Sequence, residues 1–281
     1  MKLQTKPALR IILEKLALSF GISVNHVRVL LALERIVARI EKHPVLSEHL
    51  IFKGGFALLK TIQASRYTRD VDALALGVGK EKVPGYVREA LLVDLQDGFW
   101  FGDIQESDLG IDGDYGGIRF DCAFYIGGPL PVSVKTQRLS RLHLDIGFSD
   151  KIQHVEKQLM PTWILSQEPI SWLVYPLENI FAEKLETLCQ RGSANSRAKD
   201  VYDLVKLFPL CNDQKSLSQA ILMTFENRKT PIPRSFHEQA NSLQPLILKA
   251  AWSSIQSSDK PLFEEAWTML LNFLKDLDKS F

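Results

Sequence analysis

Cysteine, metal-spaced histidine, long apolar runs and net charge are all scarce in this chain. Cys122, Cys189 and Cys211 are its three cysteines. They are too few and too scattered for a disulfide framework or a zinc site, and they fit buried thiols in a reducing compartment. The six histidines are equally dispersed, with none beside a second ligand at metal spacing. No stretch of about 18 uninterrupted apolar residues is present, which argues against a membrane span. The N-terminus carries Lys2, Lys6 and Arg10, and Glu14 and Lys15 break its apolar run. It reads as an amphipathic helix rather than a secretory signal. Lys plus Arg number 34 against 33 Asp plus Glu, a net charge of +1. That balance excludes coating of nucleic acid by charge alone and leaves a local basic face open. A cytoplasmic protein with no membrane partner is expected.

What is present is ordinary globular composition, 46% apolar and 24% charged, over a length that suggests one large domain or two medium ones. Ser23 can cap a helix with Val27, Leu30, Leu31, Leu33, Val37, Ala38 and Ile40 on its apolar side, and Pro44 follows its end. Leu50-Ile51-Phe52 leads into Gly54-Gly55, a short helix from Phe56 to Ile62 follows, and residues 68–76 alternate into a strand. A helix is expected from Glu81 to Leu95, with Pro84 in its first turn. Residues 99–148 are rich in glycine, aromatic and β-branched residues, with strands expected near 115–126, 132–136 and 141–147. Pro161 and Glu168-Pro169-Ile170 mark a connection. From Pro176 helical periodicity returns and glycine nearly disappears. The texture change predicts a mixed core over 1–170, including the N-terminal helices, and a helical C-terminal domain over 171–281. There is no internal repeat.

The informative stretch is Phe52-Lys53-Gly54-Gly55-Phe56-Ala57-Leu58-Leu59, followed by Arg66-Tyr67-Thr68-Arg69-Asp70-Val71-Asp72. A glycine pair between strand and helix lets the backbone turn sharply and approach a ligand. The helix that follows directs free N–H groups and partial positive charge at that spot, which suits phosphate. Residues i and i+2 of a strand share a face, so Asp70 and Asp72 point together while Val71 points into the core. Adjacent carboxylates repel unless a cation lies between them, and hard oxygen ligands suit Mg²⁺ carrying nucleotide phosphates. Taken singly, a Gly-Gly is a turn and an Asp-x-Asp a solvated strand end. Together and in this order they resemble the signature of the polymerase-β-like nucleotidyltransferases, in which a later strand supplies a third carboxylate. Asp145, in Arg141-Leu142-His143-Leu144-Asp145-Ile146-Gly147-Phe148, is the candidate. Asp121 is its competitor and reads better as a strand aspartate facing solvent.

A second constellation lies in the helical half, in Tyr175-Pro176-Leu177-Glu178-Asn179-Ile180-Phe181-Ala182-Glu183-Lys184-Leu185-Glu186 and then Arg197-Ala198-Lys199-Asp200-Val201-Tyr202-Asp203. Lys184 falls on the side of its helix that carries Ile180, Phe181 and Leu185, so it must reach a polar space or pair with an anion. Asp200 and Asp203 share a face at the start of the next helix. The plain alternative is a surface lysine and an acidic helix start favoured by the dipole. Replacing Lys184 should change stability little, provided no buried carboxylate depends on it.

With these segments in place, the chain resembles the abortive-infection nucleotidyltransferase toxins of the AbiEii/AbiGii type, enzyme halves of bacterial toxin–antitoxin pairs. The likeness covers roughly residues 25–235. It runs through Ala32-Leu33-Glu34-Arg35, the glycine and Asp-x-Asp segments, Leu144-Asp145-Ile146-Gly147-Phe148-Ser149-Asp150, the Lys184 helix and the Asp200 helix, with a weaker echo over 224–233. The resemblance implies an α+β fold: a polymerase-β-like core of mixed sheet with helices, then a helical C-terminal domain contributing to the active site. It places nucleotide and metal at Gly54, Gly55, Asp70 and Asp72, with Asp145 as a further metal ligand or an orienting neighbour. It gives Lys184 a phosphate contact, and Asp200 and Asp203 support or base work. Thr68 stands where serine is expected. Lys53, Lys60, Arg66, Arg69, Arg191, Arg197 and Lys199 flank the motifs and can hold phosphates, Lys53 and Arg69 being the nucleotide-binding candidates. A mixed solvated surface is the alternative for this set. The implied activity is Mg²⁺-dependent transfer of a nucleoside monophosphate from an NTP to an RNA acceptor, the tRNA 3′ end, with a cognate antitoxin as partner. Nucleotidylation of a protein side chain and a catalytically silent binding module are the rival readings.

Overall fold

The computed structural model describes residues 6–63, 66–109, 116–163 and 168–281; Lys2 and the first residue of the strand expected at 115 lie outside them. The chain divides into two compact units, Met1–Ser149 with Glu156–Val174, and Asp150–Val155 with Tyr175–Phe281.

The first unit holds a seven-stranded mixed sheet. Helices α1 (Lys6–Phe20), α2 (Val24–Ile40) and α3 (Leu46–His49) precede β1 (Leu50–Lys53). Then come α4 (Gly54–Thr61), β2 (Asp70–Ala75), α5 (Val83–Leu92), β3 (Phe99–Leu109), β4 (Gly117–Ile126), β5 (Ser140–Gly147), β6 (Glu156–Met160) and β7 (Ile170–Val174). The strand order is β3-β4-β5-β2-β1-β7-β6. β2 runs parallel to β5 and antiparallel to β1, and β1 runs parallel to β7.

The helices form for the reasons the sequence supplies. Ser23 Oγ accepts the His26 N–H and caps α2. The apolar stripe of α2, from Val27 to Ile40, lies in one buried cluster with Val71 and Ala73 of β2 and Leu142, Leu144 and Ile146 of β5. Helix α4 starts at Gly54, two residues earlier than Phe56.

Two buried ion clusters fix the helices to this unit. Arg39 is fully buried and donates to both oxygens of Asp97 at 2.9 Å, and to the carbonyls of Val93, Arg35 and Phe99. Arg35 reaches the same carboxylate at 2.7 Å. Burial opposes the Asp97 charge, but these guanidiniums outweigh it and hold the carboxyl below its usual range. In the second cluster Lys60, on the last turn of α4, donates to Glu34 of α2 at 2.5 Å and to the Pro161 carbonyl. Glu34 also accepts the Trp163 N–H. Burial pulls the Lys60 ammonium down to about 8 against the pull of Glu34. Lys60 is thus an internal tie of α4 to α2, and the phosphate role open to it in the sequence is corrected: its charge is buried and paired.

Four strands differ from expectation. β7 forms where Ile170 was read as part of a connection and the residues after it as the start of the helical domain; its Leu173 and Val174 pair parallel with Ile51 and Phe52 of β1. No strand forms over 132–136: the segment is a loop with a short 3₁₀ turn, Thr136–Arg138, and Val132 is fully exposed with no partner strand to pack on. β3 was not expected, because an irregularity between Gly102 and Gln105 shifts its pairing with β4 and breaks the alternation. β6 is an edge strand whose sequence, Glu-Lys-Gln-Leu-Met, reads as polar because much of it stays exposed.

The second unit is helical. It comprises α6 (Leu177–Arg191), α7 (Ala198–Leu207), α8 (Gln214–Asn227), α9 (Phe236–Asn241), α10 (Leu246–Trp252) and α11 (Phe263–Asp278). α6 packs on α7 and α8, and α11 on α7 and α9. Within it Arg228 binds Asp150 at 3.4 Å and Glu186 at 2.9 Å, which draws the 150–155 segment onto α6 and α8.

Candidate active site

The glycine pair and the Asp-x-Asp strand meet in the first unit. β1 and β2 pair antiparallel with Lys53 opposite Asp72, and α4 begins at the next residue, Gly54. Gly54 has φ +73°, the left-handed region that glycine adopts without strain. Its second reason is space: a Cβ there would lie 2.0 Å from Asp72 Oδ2. At Gly55 a Cβ would lie 2.6 Å from Arg66 Nη2 and 3.2 Å from Thr68 Oγ1. The two glycines thus let a carboxylate and a guanidinium close onto the first turn of α4.

On β2, Asp70 and Asp72 are half-buried while Val71 and Ala73 are fully buried, so the two carboxylates share the open face of the sheet. Register extends that face across two more strands. Asp72 is level with Asp145 of β5, and Asp145 with Arg119 of β4. Asp70 is level with His143, and His143 with Asp121. The core side of β5 carries Leu142, Leu144 and Ile146, which is why its polar partners all project to the opposite side.

Asp145 stands beside the Asp-x-Asp pair, but both of its oxygens are taken. Arg119 Nε donates to Oδ1 at 2.8 Å and Nη2 to Oδ2 at 2.6 Å. The Arg119 guanidinium is held above its ordinary range, by its hydrogen bond to Asp145 first and by the charges of Asp145, Asp70 and Asp72. Asp121, the competitor, does not simply face solvent. It is bonded by Arg141, which also binds Asp103 at 2.9 Å. His143 lies between the two carboxylates of its row, Nδ1 3.4 Å from Asp70 and Nε2 3.5 Å from Asp121. Arg119, His143 and Arg141 were missed as site residues in the sequence. The only signal for them was alternation along β4 and β5, which places them on one face without saying what they meet. Arg69 is exposed just before β2, whereas Arg66 is buried against Gly55.

Oxygen donors on one rigid strand face, with Gly54 leaving room for the Asp72 carboxylate, are a chemical fit for a hard divalent cation. Among the described residues no cluster of three or more His, Cys, Asp or Glu side chains converges as a ready metal site. The arginine clamp on Asp145 is consistent with that.

In the helical unit, Lys184 of α6 is buried and bonded to two carboxylates of α7, Asp200 at 2.7 Å and Asp203 at 2.8 Å. Both aspartates are buried, and Arg197 adds a bond to Asp200 at 2.5 Å. Burial resists the charge on Asp200, yet Lys184 and Arg197 hold its carboxyl well below the usual range. The surface-lysine alternative is therefore overturned. The condition set on Lys184 also fails, because two buried carboxylates depend on it.

The comparisons agree with this architecture. Residues 35–278 match the family model described as "Nucleotidyl transferase AbiEii toxin, Type IV TA system". The MenT4 nucleotidyltransferase toxin of Mycobacterium tuberculosis H37Rv superposes with TM-score 0.59 at 17% identity, over 95% of this chain and 90% of that one. JHP933 from Helicobacter pylori gives TM-score 0.56 at 17% identity, over 91% of each chain. No curated protein sequence matches the chain significantly. Among the described residues no single helix is long and apolar enough to cross a membrane. With a family match over most of its length and an α+β nucleotidyltransferase fold, the chain belongs to the AbiEii family of nucleotidyltransferase toxins of type IV toxin–antitoxin systems.

Proposed function

We propose that the chain transfers a nucleoside monophosphate from an NTP to an RNA acceptor, the 3′ end of tRNA, with Mg²⁺ held by Asp70 and Asp72. The observation that carries this reading is the pair of carboxylates on one face of β2, one of them seated over the glycine turn that opens α4. Bound there, the cation would polarise the phosphate oxygens and favour the attacking hydroxyl. The acceptor hydroxyl would give up its proton to water as its oxygen bonds to the α-phosphorus; the bond from that phosphorus to the bridging oxygen of the β-phosphate breaks, and pyrophosphate leaves with the electron pair.

The chain's own residues supply position and charge. The first turn of α4 offers N–H groups to phosphate, and Gly54 and Gly55 keep side-chain bulk away from it. Lys53 and Arg69 are the proposed nucleotide-binding cations. In the helical unit, the buried Lys184, Asp200 and Asp203 cluster is proposed as a second requirement for transfer; with its ammonium already bonded to both carboxylates, Lys184 is proposed to hold that cluster in place, and the aspartates to give support or base work. The family carries with it a cognate antitoxin. The acceptor class comes from the family resemblance.

Each of the four α-labelled NTPs, incubated with total RNA and with a protein extract, tests the reading. Label in RNA with wild type and none with Asp70→Asn supports it. Label in protein alone supports side-chain nucleotidylation, and no label in either leaves a silent binding module.

A further inference from the structure

We infer that Arg119 is a positioning residue that keeps Asp145 off the divalent cation, so that the cation site is built on the Asp70–Asp72 pair without a third carboxylate. The inference rests on the metal assignment proposed above and deepens it. Three observations carry it. First, Asp72, Asp145 and Arg119 are level on three adjacent strands and share one sheet face, so the pairing is set by backbone register and not by a mobile side chain. Second, the Arg119 bond to Asp145 is a fork at 2.8 and 2.6 Å that engages both carboxylate oxygens; bidentate charged pairs of this kind are the strong ones. Third, Asp121, among the described residues the other carboxylate in register with the Asp-x-Asp pair, is likewise bonded by an arginine, Arg141. Both candidates for a third ligand are therefore neutralised by the protein itself. Asp145 is 14% exposed and Arg119 37%, so separating them would return only the arginine readily to water and leave a largely buried carboxylate without its partner.

A charge-neutral double substitution separates the two roles of Asp145. Arg119→Gln with Asp145→Asn removes one cation and one anion, which leaves the long-range field on Asp70 and Asp72 nearly unchanged. Mn²⁺ binding to the nucleotide-free protein is read from the free-ion electron paramagnetic resonance signal, with folding checked by circular dichroism. The inference expects the double variant to bind Mn²⁺ within about threefold of wild type. It expects Arg119→Gln alone to bind about tenfold more tightly, because the freed Asp145 joins the site. A double variant about tenfold or more weaker than wild type would show that Asp145 is a metal ligand and would overturn the inference. If Arg119→Gln alone does not fold, the double variant decides by itself. Asp70→Asn is the control. Equal Mn²⁺ binding by Asp70→Asn and wild type would remove the metal assignment itself, and this inference with it, a result distinct from a shift seen only in the double variant.

Discussion

Lys184→Met removes the ammonium that bonds Asp200 at 2.7 Å and Asp203 at 2.8 Å and leaves the length of the side chain in place. The two aspartates are 3% and 1% exposed, so they have almost no access to water when the lysine is gone. Arg197 still reaches Asp200, while Asp203 loses its 2.8 Å bond to the ammonium. Breaking a buried pair by removing one partner costs about 3–5 kcal/mol. For a chain of this size, at roughly 2–4 °C per kcal/mol, the fall in Tm is about 10 °C. The pH dependence has a definite sign. In wild type the Asp200 carboxyl is depressed, so its contribution is present above the unfolded value of about 4 and is lost as pH falls through the lower folded value. In the variant Lys184 no longer opposes burial and only Arg197 still holds Asp200 down, so the Asp200 carboxyl rises and its protonation relieves the strain. The gap between wild type and variant should therefore narrow from about pH 7 to about pH 4. Urea unfolding followed by circular dichroism at several pH values measures it. A loss under about 1 kcal/mol, or a gap independent of pH, would refute the reasoning that Lys184 is what makes these carboxylates tolerable inside the helical unit.

Three further outcomes are expected. Gly54→Ala puts a Cβ 2.0 Å from Asp72 Oδ2 at φ +73°; it should cost about 1–3 kcal/mol in thermal melts and lower transfer about 100-fold by displacing the carboxylate. Arg39→Met leaves Asp97 short of the guanidinium that bonds both its oxygens; it should cost about 3–5 kcal/mol, and adding Asp97→Leu should recover part of that in the same denaturation assay. Expressed without its antitoxin, the wild-type chain should slow a bacterial host while Asp72→Ala does not; equal slowing by both would point to overexpression stress.

Local signals carried a good part of this molecule. The Ser23 cap, the apolar stripe of α2 and the strand that holds Asp70 and Asp72 were legible because each is written within a few consecutive residues, and β4 and β5 were legible through their alternation. β3, β6 and β7 were not, because the first is shifted by an irregularity, the second is an edge strand with a mostly polar sequence, and the third is a five-residue run just after Pro169 that read as a connection. The same limit applies to charge. Asp145 was visible as a carboxylate on an apolar strand, but its partner Arg119 lies 26 residues away and is brought level only by the pairing of β4 with β5. Lys184 was visible as a lysine on a buried face. That it is shared by two buried aspartates required knowing that α7 packs on α6. Thus chemistry confined to one turn or one strand could be read, and chemistry created by register between strands or by helix packing could not.

The central claim is nucleotidyl transfer at the Asp70–Asp72 strand. Its most direct test is the reaction of purified wild-type and Asp72→Asn proteins, matched in Tm, with purified tRNA and labelled NTPs, followed by identification of the labelled terminus. The account predicts nucleotides added at the 3′ end by wild type, and a product lost with Asp72→Asn. Equal labelling by both proteins, or label found away from the 3′ end, would contradict it.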